Sequence, residues 1–172
     1  GLNAAGGMDQ SGFGGPRGDD RFGGMPGGSG NSQGSIVISG GTLKITASGD
    51  GLDANGSIVI SGGETIVCGP AVGDTATLDY DTGAVITGGS FLGTGGGGMA
   101  QTFSEASQGL LSLRTGQQSA GTEIRITDSR GNLLLSHCPE LSYDLLLYSS
   151  PRLTAGESYR VSIGQASGDF QA

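Results

Sequence analysis

The sequence GSIVISGG at residues 34–41 decides the fold of this chain, because residues 56–63 repeat it without a change. The two copies are 22 residues apart (56 − 34 = 22). A fixed period of this length is typical of chains whose short repeats stack on one another, each covering the apolar side chains of the next. The repeat therefore predicts a stacked β-structure.

Each copy alternates apolar and polar residues, which is the period of a β-strand. Gly-Gly at the end of each copy predicts a bend between two short strands, because glycine adopts backbone angles that other residues resist. The sequence AVITGG at residues 84–89 gives a third copy, and GLNAAG at residues 1–6 matches the end of a preceding one. Stacked in parallel, these repeats predict an all-β fold, a parallel β-helix or solenoid.

We expect one domain with two parts. Residues 1–109 are predicted to hold the rungs of the β-helix, with a glycine-rich insertion at residues 7–33 that loops out as solvated chain or as a flap beside a ligand site. Residues 110–172 lose the 22-residue period but stay rich in strand patterns, which predicts irregular terminal rungs and a cap. Because the chain begins inside a repeat, we expect a mature or trimmed fragment.

The composition narrows the classes of partner. Sixteen acidic residues against eight basic ones give a net charge of −8, which disfavours nucleic acids and anionic membranes and favours cations or neutral ligands. No run of 18 apolar residues occurs, so membrane insertion is not expected. Cys68 and Cys138 are too few for a disulfide framework, and the sequence leaves open whether they pair or stay free.

The same stacking aligns carboxylates into columns. The repeat places Asp79 above Asp53 and Asp81 above Asn55, with Asp50 just before the first column. Neighbouring strands are ~4.8 Å apart, so such carboxylates repel unless a cation lies between them. The oxygen donors of Asp50, Asp53, Asn55, Asp79 and Asp81 suit calcium, whereas ordinary turn chemistry of Asp, Asn and Gly is the alternative explanation.

The run GDGLDANGS at residues 49–57, continued by IVISGG, resembles the signature of a bacterial family of secreted carbohydrate-binding β-helix proteins that are similar in fold to polysaccharide lyases. The sequences SSPRL at residues 149–153 and GESY at residues 156–159 fit the same family. The resemblance implies a right-handed parallel β-helix, bound calcium, an extracellular or cell-surface location and binding of plant-type or uronate-containing polysaccharide. The family's acidic motif transfers to Asp50, Asp53 and Asn55.

Three functions follow from these observations. The first is a non-catalytic carbohydrate-binding domain with calcium-stabilised acidic columns, in which Tyr80 is the candidate aromatic contact to sugar. The second is a structural or adhesive surface domain that calcium stiffens. The third is a calcium-dependent polysaccharide lyase, which is disfavoured because the outward-facing Lys44 stacks with Ile66 and Leu92, away from the acidic columns. The sequence therefore favours a non-catalytic domain and leaves enzymatic activity open.

Overall fold

The computed structural model of the protein describes residues 1–4, 34–69 and 75–172. Within these ranges the regular structure consists of thirteen β-strands. The predicted insertion at residues 7–33 lies outside the described residues. The strands are β1 (Leu2–Ala4), β2 (Ile36–Thr46), β3 (Leu52–Ala54), β4 (Ser57–Cys68), β5 (Leu78–Tyr80), β6 (Gly83–Gly95), β7 (Glu105–Ala106), β8 (Leu110–Gln118), β9 (Ile124–Thr127), β10 (Leu133–His137), β11 (Tyr143–Ser149), β12 (Ser158–Ile163) and β13 (Ala166–Gln171).

The strands form three sheets. A small parallel sheet has the order β1-β3-β5, and the largest sheet has the order β2-β4-β6-β11-β8, with β7 paired beside β6. In this largest sheet β2, β4 and β6 are parallel, whereas β11 runs antiparallel to both β6 and β8. The third sheet, β10-β9-β12-β13, is antiparallel throughout.

The predicted class, all-β, is correct, but the parallel β-helix prediction is wrong. The protein has three separate sheets, one of them mixed and one antiparallel, and they do not form a solenoid. Parallel stacking ends at β6 and β7, because β11 pairs with β6 in the opposite direction. Residues 110–172 form two strands of the largest sheet and all four strands of the antiparallel sheet, so they are not terminal rungs of a solenoid.

The register deduced from the repeat holds in the small parallel sheet. Asn3 pairs with Asp53, and Asp53 pairs with Asp79. Each long strand also runs through its Gly-Gly pair instead of ending there, with an irregularity in pairing at that point. Gly63 has a φ of +83° and an added Cβ would lie 2.5 Å from the carbonyl oxygen of Gly41, so this position requires glycine.

Two apolar cores lie on opposite faces of the largest sheet. One core joins it to the small parallel sheet and includes Leu52, Phe91 and Leu147. The other joins it to the antiparallel sheet and includes Leu92 and Leu146. Because neighbouring residues of a strand point to opposite faces, Phe91 and Leu92 serve different cores. The protein is thus built in three layers.

Candidate functional site

The acidic column lies on the outer face of the small parallel sheet. Leu52 and Ala54 are buried in the core, so the alternation of β3 turns Asp53 away from it. Asn3 and Asp79 occupy the same position in the neighbouring strands. The sheet therefore places an amide and two carboxylates side by side, at the strand spacing of ~4.8 Å.

The pKa values show that the two carboxylates are poorly compensated. Burial raises the pKa of Asp53, the charges of Asp79 and Asp50 raise it further, and a hydrogen bond from Asn3 opposes the rise. Burial also raises the pKa of Asp79, with added repulsion from Asp50 and Asp81. The amide nitrogen Nδ2 of Asn3 donates to Oδ2 of Asp53. A backbone hydrogen bond from Tyr80 opposes the rise at Asp79, so each carboxylate has one hydrogen bond that favours its charged form.

The remaining predicted ligands lie around the pair without closing over it. Asp50 accepts a hydrogen bond from the backbone N–H of Ala76 on its Oδ1, at 2.8 Å, which gives this carboxylate a role in the turn. Asn55 and Asp81 are exposed and follow β3 and β5. The backbone N–H of Asp81 donates to the carbonyl of Ala54 at 3.2 Å, continuing the parallel ladder. The second predicted column keeps its register over these two residues.

The donor chemistry fits a hard cation, but the geometry is not a closed cage. All five predicted ligands offer oxygen, which calcium prefers. Across residues 1–4, 34–69 and 75–172, however, no three His, Cys, Asp or Glu side chains converge closely enough to hold a metal ion. The arrangement is therefore that of an open surface site centred on Asp53 and Asp79.

Basic side chains in the described part of the chain form their ion pairs away from the acidic column. Lys44 Nζ lies 2.6 Å from Glu140 Oε1, and Thr46 donates to the other carboxylate oxygen of Glu140 at 2.5 Å. The other two ion pairs are on the antiparallel sheet, between Arg125 and Glu123 and between Arg160 and Asp169. No such pair neutralises Asp53 or Asp79.

Tyr80 is a poor platform for sugar. Its hydroxyl donates to the carbonyl of Thr102 at 2.6 Å, and its backbone N–H donates to Oε1 of Gln101 at 2.9 Å. The side chain is half-buried against the first core. Tyr80 therefore has a structural role in the described contacts, which the alternation of apolar residues could not reveal because Thr102 is distant in sequence.

An exposed aromatic that the sequence did not single out is Phe170, on the edge strand β13. A cavity of about 200 Å³ lies between β13 and the edge strand β8 of the largest sheet, and Phe170 lines it. The Gly-x-Phe spacing at Gly168 and Phe170 was the available signal, but it gains meaning only once β13 is known to be an edge. Cys68 is buried and Cys138 is exposed, and both thiols are free.

Comparison with known proteins gives no relative: no family model, curated protein or solved structure matches this chain. The described part of the chain also holds no helix long and apolar enough to cross a membrane.

Proposed function

We propose that this chain is an extracellular, non-catalytic domain that binds polysaccharide, with a divalent cation, calcium, bound at the Asp53–Asp79 pair. The supporting observation is the stacked pair itself, whose pKa values are raised by burial and by neighbouring carboxylates. When bound, the ion would offset this repulsion and join the strands that carry the two residues. The likeness of residues 49–57 to secreted carbohydrate-binding proteins supplies the polysaccharide part of the proposal.

The open geometry sets the expected strength of cation binding. Asp53 and Asp79 would be the principal ligands, with Asp50, Asn55 and Asp81 close by in sequence. Extracellular calcium modules with such incomplete ligand sets bind with Kd values of ~10⁻⁴ to 10⁻³ M. We expect an affinity in this range, suited to an extracellular calcium supply and too weak for a cytosolic one.

A structural or adhesive role is the second candidate, and the size of the small sheet favours it. Strands β1, β3 and β5 have three residues each, so they gain much from an ion that joins them. In this case calcium would raise the melting temperature although the protein binds no polysaccharide. Lyase activity is less well supported than either role, because Lys44 is paired with Glu140 and no described ion pair brings a basic group to Asp53 or Asp79.

The test combines binding and melting. The full chain is incubated with insoluble cellulose, xylan and immobilised polygalacturonate in calcium and in chelator, and the bound fraction is measured. Thermal unfolding is followed in the same two buffers. Retention on a polysaccharide together with a higher melting temperature in calcium supports the proposal. Retention on none of them leaves the structural role, and identical melting curves overturn the calcium site.

A further inference from the structure

Phe170 is the exposed aromatic side chain of the described chain. In the described ranges the exposed large apolar side chains are Leu2, Val37, Met99, Leu133 and Phe170. Phe170 is the aromatic residue among them. The residue is 39% exposed. The other described tyrosines and phenylalanines are buried or half-buried. The exposed part of this side chain is removed from water only if another molecule covers it.

The ring is held in a defined orientation by its own strand. A Cβ added at Gly168 would lie 3.0 Å from Cε2 and 3.1 Å from Cζ of Phe170, so the ring extends over the glycine two residues earlier. Phe170 pairs with the buried Tyr159, and Gly168 pairs with the buried Val161. Paired residues share a face of the sheet, so the ring is on the side that faces the largest sheet, at the edge of β13.

The cavity beside the ring combines an apolar base with neutral polar groups. Leu113, Val161 and Ile163 are its apolar lining residues, and Thr115, Gln118 and Ser167 are the polar ones. The amide nitrogen of Gln118 donates to the carbonyl of Thr115 at 3.1 Å. The carbonyl oxygen of the same amide accepts no hydrogen bond from the described residues. The Thr115 hydroxyl donates to the carbonyl of Gly116 at 2.9 Å and keeps its acceptor capacity, so two acceptor oxygens are available beside an apolar surface.

The lining carries no side-chain charge that could pair with an acidic ligand. Arg114 lines the cavity, but its guanidinium lies beside Gly97, where an added Cβ would collide with it. Arg114 pairs with Leu145, whereas Leu113 pairs with Leu146 of the second core, so the Arg114 side chain points to the opposite face of β8. The net charge of −8 further disfavours a polyanion here.

We propose that this cavity binds a ring of a neutral sugar, with Phe170 as the stacking surface and Gln118 and Thr115 as hydrogen-bonding groups. The proposal rests on the polysaccharide-binding function proposed above and assigns it a site and a sugar class. Sugar rings present C–H groups on their faces and hydroxyls at their edges. An aromatic face with neutral hydrogen-bonding groups matches this pattern. A uronate would leave its carboxylate without a cationic partner.

The experiment separates sugar stacking from a structural role of the ring. Binding of the full chain to a soluble, uncharged cellulose derivative and to polygalacturonate is measured by calorimetry for the wild type, Phe170→Ala, Phe170→Leu and Phe170→Tyr. Leucine keeps apolar cover over Gly168 but removes the aromatic face. We expect Phe170→Leu to melt as the wild type does and to bind the neutral polymer about tenfold more weakly.

Phe170→Tyr is expected to keep the affinity, and Leu133→Ala is the matched control. Leu133 is 43% exposed on β10, the opposite edge of the same sheet, so its truncation should leave binding unchanged. Unchanged binding by both Phe170→Ala and Phe170→Leu would overturn the assignment while polysaccharide binding stands. Binding to polygalacturonate alone would overturn the neutral-sugar class.

Two further outcomes have distinct meanings. If the wild type binds no polysaccharide, the proposed function fails, and the sugar site fails with it. If Phe170→Leu instead abolishes a dimer seen by sedimentation, the cavity is a contact between copies of this chain, and the sugar assignment is wrong.

Discussion

Replacing Asp79 with asparagine should stabilise the protein in the absence of divalent cations. Asp79 faces Asp53 across one strand spacing of ~4.8 Å, at which two charges repel by ~0.9 kcal/mol in water and ~3.5 kcal/mol at an effective dielectric of 20. Both side chains are partly exposed, so solvent screening favours the lower figure, about 1 kcal/mol. For a chain of this size, that gain corresponds to a rise of ~2–4 °C in Tm.

The pH dependence of this gain has a definite sign. The pKa of Asp79 is raised in the folded state, so over the interval above its unfolded value the folded protein binds more protons. Stability from this group therefore falls as the pH rises, and the charged carboxylate destabilises the fold at neutral pH. The advantage of Asp79→Asn should be full at pH 7, shrink as the pH drops through the folded pKa, and vanish near the unfolded pKa of ~4.

The assay is thermal unfolding in low salt with chelator, repeated with calcium. Calcium should raise the Tm of the wild type more than that of Asp79→Asn, because the variant lacks one carboxylate ligand. Asp128→Asn is the control for a general loss of negative charge. Its carboxylate accepts hydrogen bonds from Asn132 through both oxygens and its pKa is lowered, so this change should lower Tm. A Tm of Asp79→Asn at or below that of the wild type in chelator at neutral pH would refute the reasoning.

Three further predictions test the fold and the separation of the two sites. Gly51→Ala should lower the free energy of unfolding in urea by ~1–3 kcal/mol, because the added Cβ would lie 2.5 Å from the carbonyl oxygen of Thr77. Gly98→Ala is the control and should lower it far less, because open space surrounds Gly98. Burial raises the pKa of Tyr143 to about 12, so the stability of the fold should fall as the pH rises above 10. Phenolate absorbance of Tyr143 should then appear only together with loss of near-ultraviolet circular dichroism. Tyr143→Phe should remove this contribution to the alkaline destabilisation. Chelation should lower Tm but leave affinity for a neutral polysaccharide unchanged when it is measured well below Tm; a parallel loss of affinity would show that the ion contacts the sugar.

The sequence predicted the parallel pairing of β2 with β4 well, because the two octapeptides are identical. Only one register between them buries the same apolar residues of both strands. A slip by one residue would expose Ile58 and Ile60, which are fully buried. The alignment of Asp53 with Asp79 follows from that register. The prediction was wrong at the third repeat, where the alignment favoured Val85 as the neighbour of Ile58: Ile58 pairs with Ala84, and Val85 points to the other face with Val59.

The antiparallel half could not be deduced in the same way. Residues 143–148 have the pattern of a strand, but nothing local says that Leu145 to Leu147 pair with Gly93–Gly95 of β6, some fifty residues earlier. The hairpin of β9 and β10 was predictable, because its turn residues separate two strands that are adjacent in sequence. A strand pairing was thus predictable where the sequence repeats or where the two strands are adjacent in the chain, and β6 with β11 meets neither condition.

The three-layer arrangement also determines how the two proposed sites relate. The acidic column is on the small parallel sheet, which shares the first core with the largest sheet, whereas Phe170 is on the antiparallel sheet, which shares the second core. The six strands between them separate the carboxylates from the aromatic ring. A cation at Asp53 and Asp79 can therefore affect a sugar beside Phe170 only by stabilising the intervening layer. Such an effect would change the unfolding temperature and would not directly change the affinity of the folded protein. The two proposed functions, stabilisation by a cation and recognition of sugar, are therefore assigned to different sheets.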